Sequence, residues 1–233
     1  MKIFLSALII CLAGLVHAMD ARQVIERMQK VYRETPSFDY TCRYELFKGH
    51  KSNDVFDSYA GYMCRSKSGY YQKIDQSEFI YANDFFLKIN HEEKAMLLDL
   101  PQKNIQLNAD FDAALKNCSA LKMEESEEHY EIIFLIKITS AIPYSVIRLR
   151  IDKKDYQLLR MDLYYTSAQD FSKDKNKPDF QQPHLRISFD KLNTRPKIKS
   201  GLFELATYLS KVNNILKPAG AYAGYDLIDT RIK

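Results

Sequence analysis

The chain has no tryptophan, no run of lysine or arginine and no internal repeat. Its formal charge of +4 is spread through a mixture of both signs, so no basic stripe is offered to nucleic acid. The G-x-S-x-G elbow, the phosphate-binding P-loop and C-x-x-C are all missing. His91-Glu92-Glu93 opens like a zinc motif but has no second histidine four residues after the first. Glu124, Glu125, Glu127 and Glu128 lack the interleaved glycine of a calcium loop and read as a solvated turn. These absences predict a protein without metal or cofactor that is not an enzyme. A site assembled from distant residues is the catalytic alternative they leave open.

Aromatic residues are abundant, with sixteen tyrosines and thirteen phenylalanines. Tyrosine carries an apolar body and a polar tip, which suits half-wet strands and the mouths of pockets. A hydrophobic fraction of 46% is enough to fill a core. Residues 1–18 read as a secretion signal: Met1-Lys2, an apolar run from Ile3 to Val16, and a small-x-small cleavage site at Val16-His17-Ala18. The expectation is an exported protein, periplasmic in a diderm bacterium, whose residues 19–233 form one domain.

The rest of the chain is organised around Phe38 to Ile74. Phe38, Tyr40, Cys42, Tyr44 and Leu46 alternate with Asp39, Thr41, Arg43 and Glu45, the period of a strand with one apolar face. Gly49 to Asp54 supply turn residues, and Tyr59 to Arg65 returns as the second arm of an antiparallel hairpin. If Cys42 faces Cys64, then Tyr44 faces Tyr62 and Leu46 faces Ala60, with both cysteines on the apolar face. A one-residue slip sends Cys64 to the opposite face. A Cys42–Cys64 disulfide and a set of buried free thiols are the two readings.

Asp20 to Glu34 reads as an amphipathic helix, with Asp20 and Gln23 spaced as a capping box and Thr35-Pro36 as its stop. Short strands follow at Tyr70 to Ile74, Phe79 to Ala82, Phe85 to Ile89 and Ala95 to Leu100, with connections that suit an antiparallel meander. A short helix is expected within Asn108 to Asn117. Further strands are expected at Leu121 to Glu124, Tyr130 to Ile138, Tyr144 to Ile151, Tyr156 to Tyr165, Leu185 to Phe189 and Tyr225 to Asp229. Residues 167–183 read as a long mobile hairpin loop. Leu202, Leu205, Ala206, Leu209, Val212 and Leu216 make a helical stripe, so Leu202 to Leu216 is assigned as a helix.

Several of these segments, in this order, resemble the LolA-like, outer-membrane lipoprotein carrier superfamily. They are the exported N-terminal helix, Ser37-Phe38 opening a long strand, the run Gly61 to Tyr71, and the turn at Asn83-Asp84. The strand at Leu185 to Leu192 and the closing Leu227 to Arg231 complete the likeness. The resemblance implies an α+β fold: a curved antiparallel sheet, an incomplete half-barrel, covered on its concave face by helices. It implies a non-enzymatic carrier of lipid acyl chains or of a lipidated protein, with a membrane-associated partner. Phe38, Tyr40, Tyr44, Leu46 and Tyr62 would line its cavity. Lys67-Ser68 stands where the family has Arg-Pro, which makes Lys67 the candidate lid latch, although lysine lacks the planar fork of arginine. Cys64 falls where an aromatic is expected. The alternative is an envelope structural or secretion-accessory protein on the same fold without a lipid ligand.

Overall fold

The computed structural model describes residues 19–101, 111–174 and 176–231. The signal-sequence reading at 1–18 therefore lies outside the described residues. Helix α1 (Ala21–Glu34) begins as the sequence dictates. The Asp20 carboxylate accepts from the Gln23 amide at 2.9 Å, and the Gln23 side chain accepts from the Asp20 amide at 3.1 Å. Thr35 ends it with its hydroxyl donating to the Val31 carbonyl at 2.7 Å.

Sixteen strands follow among the described residues. The first six are β1 (Phe38–Phe47), β2 (Val55–Ser66), β3 (Gly69–Ile74), β4 (Ser77–Ala82), β5 (Phe86–Asn90) and β6 (Ala95–Asp99). A short helix, α2 (Phe111–Asn117), leads straight into β7 (Cys118–Glu125), β8 (His129–Ile136), β9 (Tyr144–Asp152) and β10 (Leu158–Tyr165). Next come the two-residue strands β11 (Gln169–Asp170) and β12 (Phe180–Gln181), then β13 (His184–Phe189), β14 (Leu209–Val212), β15 (Ile215–Pro218) and β16 (Asp226–Asp229).

Twelve of these strands form one open sheet in the order β16-β6-β5-β4-β3-β2-β1-β13-β10-β9-β8-β7. Its pairs are antiparallel except β16 with β6, whose parallel pairing is reached by the long return of the C-terminal segment. Strand β1 sits at the centre and joins the meander β2–β6 to the second half of the sheet through β13. Residues 167–183, read as a loop, hold the small β11–β12 ladder.

Both faces of the sheet carry a core, where the sequence reading expected one. On one face Val24, Ile25, Met28 and Tyr32 of α1 pack with Phe38, Tyr40, Cys42, Tyr44, Met63 and the inward residues of β8, β9 and β10. On the other face Cys64, Tyr71, Ile80, Leu87 and Leu98 make a row across β2–β6, capped by Tyr208 and Leu209. Strands β3–β6 carry apolar side chains on both faces, as in Tyr70-Tyr71 and Phe86-Leu87, so period two does not show which side a helix covers.

The helix expected over Leu202 to Leu216 is not formed. A single 3-10 turn at Leu205–Thr207 is followed by the β14–β15 hairpin. Asn213 and Asn214 take φ of 51° and 64°, the left-handed pair of a type I′ turn, and β-branched Val212 and Ile215 flank it. Two left-handed residues in succession cannot belong to a right-handed helix, so the leucine stripe there reflects packing rather than helical period.

Opposite α1, the polar face of β8–β13 bears a charge ladder. Asp162, 1% exposed, lies 2.8 Å from Arg160 Nε and 2.7 Å from Arg186 Nε, while Glu131 meets Arg148 at 3.3 Å and Arg150 at 3.5 Å. Asp162→Ala leaves two guanidinium groups without their carboxylate. It is expected to destabilise the fold by roughly 2–3 kcal/mol, read as a lower urea midpoint at unchanged slope.

Candidate functional site

The proposed wall on β1 is real as an apolar face but is filled. Phe38 is 0% exposed, stacked on Tyr40 at 6.1 Å and met edge-on by Tyr32 of α1 at 6.0 Å. The Tyr40 hydroxyl donates to Met63 Sδ at 3.2 Å, and burial holds its pKa well above the ordinary phenol value. Tyr44 stacks on Tyr59 at 5.0 Å and accepts from Gln72 Nε2 at 3.5 Å, and desolvation raises its pKa as well. Leu46 is half-buried, beside the bulge that separates it from Phe47. Surface cavities at 48–52, 127–129 and 112–116 are lined by other residues.

Tyr62 does not join this wall. The β1–β2 register pairs Cys42 with Gly61, Tyr44 with Tyr59, Thr41 with Tyr62 and Asp39 with Cys64. This register lies three residues from the one in which Cys42 faces Cys64; an odd shift exchanges the faces, so Tyr62 and Cys64 lie on the opposite face, where the Tyr62 hydroxyl donates to Asp39 Oδ2 at 3.1 Å. The cause is steric. A Cβ on residue 61 would lie 2.5 Å from Cys42 Sγ and 2.7 Å from Tyr44 Cε2, so only glycine permits this approach.

Cys42 and Cys64 are accordingly free thiols on different faces, and the disulfide is not formed. Burial pushes the Cys64 thiol up to about 11 and raises that of Cys42 too. Lys67, the candidate lid latch, is exposed in the turn between β2 and β3. The residue of this arm that reaches α1 is Arg65, whose Nη1 donates to the Tyr32 carbonyl at 2.6 Å and lies 3.4 Å from the Arg33 carbonyl, at the C-terminal end of the helix. A guanidinium there satisfies orphan carbonyls and complements the helix dipole. Sequence reasoning missed Arg65 because alternation predicts its face but not its reach back to the helix.

Beyond α1 the same face continues into an aromatic strip that the sequence reading did not single out. Register places Phe38, Arg65, Tyr70, Tyr81 and Phe86 in one row, and Met63, Gln72, Phe79, Lys88, Leu97 and Ile228 in the next. Tyr70, Phe79, Tyr81, Phe86, Leu97 and Ile228 belong to neither core cluster. Tyr81 stacks on Phe86 at 4.8 Å, Arg65 lies 5.2 Å from the Tyr70 ring, and Lys88 lies 5.8 Å from the Phe79 ring. The strip thus offers apolar rings bordered by two cations. Its sequence signal was the doubled aromatic pattern of Tyr70-Tyr71 and Phe85-Phe86, one residue for each face.

Among the described residues no group of three metal-ligating side chains converges. At the end of the sheet His184, 3% exposed, stacks between Phe47 at 4.2 Å and Tyr164 at 5.1 Å, with Nδ1 3.1 Å from the Gly49 carbonyl. Desolvation lowers its pKa below the ordinary imidazole value.

Three outcomes follow from this geometry. In the native protein at pH 8, Cys42 and Cys64 should resist iodoacetamide, and non-reducing peptide maps should contain no Cys42–Cys64 link. Tyr44→Glu buries a carboxylate, so it should lower the thermal transition sharply rather than act on a ligand. For His184 the folded pKa is depressed, so the unfolded chain binds the extra proton as pH falls below about 6.5. Stability is then full above that pH and declines below it, and His184→Phe should flatten the decline in urea midpoints between pH 7 and 5.

No family model and no curated protein matches the sequence. Solved structures similar to the chain include an uncharacterized conserved protein from Thermus thermophilus, at 9% identity and a TM-score of 0.47, covering 91% of this chain and 99% of that one. The LolA superfamily protein NE2245 from Nitrosomonas europaea is similar at 12% identity and a TM-score of 0.35, over 80% of this chain and 98% of that one. A putative outer membrane lipoprotein-sorting protein domain from Vibrio parahaemolyticus is similar at 9% identity and a TM-score of 0.36, covering 79% and 96%.

Proposed function

We propose that this protein is an exported, non-enzymatic carrier of lipid acyl chains or of a lipidated protein, periplasmic in a diderm bacterium. The observation that carries the reading is the strip of Tyr70, Phe79, Tyr81, Leu97 and Ile228 around the buried Phe86, which continues the face under α1 outside both core clusters. In this reading the open sheet is a half-barrel roofed on its concave side by α1 and α2. The acyl chain lies along the strip beyond α1. Burying a chain there gains about 0.8 kcal/mol per methylene removed from water. Lys88 and Arg65 stand at the border, where a carboxylate or phosphate headgroup would meet them.

Arg65 gives the reading a moving part. It holds the end of α1 through two carbonyls, and it also lies over Tyr70 at the strip. A headgroup that competes for the guanidinium loosens α1 without disturbing the β1–β2 ladder. The hydrogen bonds of that ladder do not involve the Arg65 side chain.

The test uses delipidated protein and a fluorescent fatty acid. The parent should take up the probe. Phe79→Glu should reduce uptake by at least about tenfold while its thermal transition stays near that of the parent, because Phe79 is only half-buried. Arg43→Ala, on the opposite face, should leave uptake unchanged. A parent that takes up no lipid sinks the carrier reading in favour of a structural or secretion-accessory role. Uptake that is unaltered in folded Phe79→Glu moves the site away from this strip.

A further inference from the structure

The β14–β15 hairpin stands apart from the twelve-stranded sheet and pairs only with itself. One of its faces is anchored: Leu209 is buried in the core on the side away from α1, and Leu216 packs against it. The other face presents Val212 and Ile215, which flank the Asn213-Asn214 turn and are 45% and 62% exposed. A type I′ turn is a rigid way to hold two apolar side chains at a tip, because it needs no contact with the rest of the protein.

The segment that carries this tip is one-sided in charge. Over residues 195–218 the chain carries Arg195, Lys197, Lys199, Lys211 and Lys217 against Glu204 alone, a surplus of four that equals the formal charge of the whole chain. All five cations are exposed, and none takes part in an ion pair among the described residues. Ile198, Leu202 and Leu205 pack in the same cluster as Leu209 and Leu216, so the basic segment and the hairpin form one cap.

We propose that this cap docks the protein onto an anionic bilayer, with Val212 and Ile215 entering the headgroup–acyl boundary and the lysines meeting lipid phosphates. Two side chains are too small an area to hold a protein partner, for which a stable interface buries on the order of 1,000 Å² or more. They suffice for a lipid surface when electrostatic attraction adds to them. Each lysine close to an anionic surface strengthens binding by about fivefold, and the attraction fades within a Debye length, so it is sensitive to salt. This inference stands apart from the carrier reading: a chain that takes up no fatty acid would still dock, and one that takes it up would still need a membrane to deliver it to.

The experiment is co-flotation with vesicles of phosphatidylcholine alone or with about a third phosphatidylglycerol, the anionic proportion being chosen to give a surface potential like that of a cell membrane. Parent and variants come from the same export, so each carries the same N-terminus. The parent should float with the anionic vesicles, bind pure phosphatidylcholine at least about tenfold more weakly, and dissociate in about 0.5 M salt. Lys211→Gln with Lys217→Gln should weaken binding by roughly 25-fold, and Val212→Ser with Ile215→Ser by about tenfold or more. Both double variants change exposed positions, so their thermal transitions and fatty-acid uptake should match the parent. Equal binding to both vesicle types, or anionic binding that survives both double variants, overturns the proposal. So does a parent that sediments as a dimer and becomes monomeric in Val212→Ser/Ile215→Ser, since the tip would then join two copies of the chain.

Discussion

The close approach of Gly61 to Cys42 and Tyr44 governs how the two arms of the central hairpin meet. Strand side chains alternate, so a shift of one residue would exchange the faces of every residue on β2. With glycine at 61, Cys42 and Tyr44 occupy the space a side chain would need, and Met63 comes beside Tyr40 on the helix side. Cys64 is thereby committed to the other face, which is why a disulfide with Cys42 is geometrically closed. Because β1 also pairs with β13, the same register is carried into the second half of the sheet.

From that register follows a division of labour between the faces. The helix side is dry under α1, where Phe38 and Tyr40 are locked by aromatic contacts and by Met63. Further along, over β3–β6, it keeps its aromatics but not its cover from α1. The opposite side is dry under the C-terminal segment and charged under β8–β13, where Asp162 and Glu131 hold four arginines in a ladder. The register sets Arg160 directly opposite Arg150, and the carboxylates of Asp162 and Glu131 beside them offset that like-charge pair.

The site and the cap use opposite devices. The strip places half-buried Tyr70, Phe79 and Tyr81 beside buried Phe86 on the sheet, so a ligand of the kind proposed would meet a surface that is already formed. The hairpin relies on exposure of a small apolar tip, held by its turn and by Leu209 and Leu216 on its anchored face. Arg65 links the strip to α1: the residue that bonds the helix end also lies over Tyr70 at the border of the strip.

Much of this was legible in the residues themselves. The capping box at Asp20 and Gln23, the alternation from Phe38 to Leu46, and the short polar turns of the meander specify α1, β1 and β3–β6. They do so because local hydrogen bonding and side-chain period suffice there. The strand at Leu185 to Phe189 was equally plain. Three things waited for the tertiary structure. Hairpin register depends on which side chain Gly61 leaves room for, a contact across strands that no period encodes. Runs apolar on both sides, such as those around Tyr70-Tyr71 and Phe85-Phe86, do not say which face a helix will cover. The leucine spacing from Leu202 to Leu216 suited a helix, and the conformation of Asn213 and Asn214 decided for a hairpin because Leu209 and Leu216 find their core on the far side of the sheet. Local chemistry thus determined the elements, and packing between distant residues decided which face of each was buried and which was left to act.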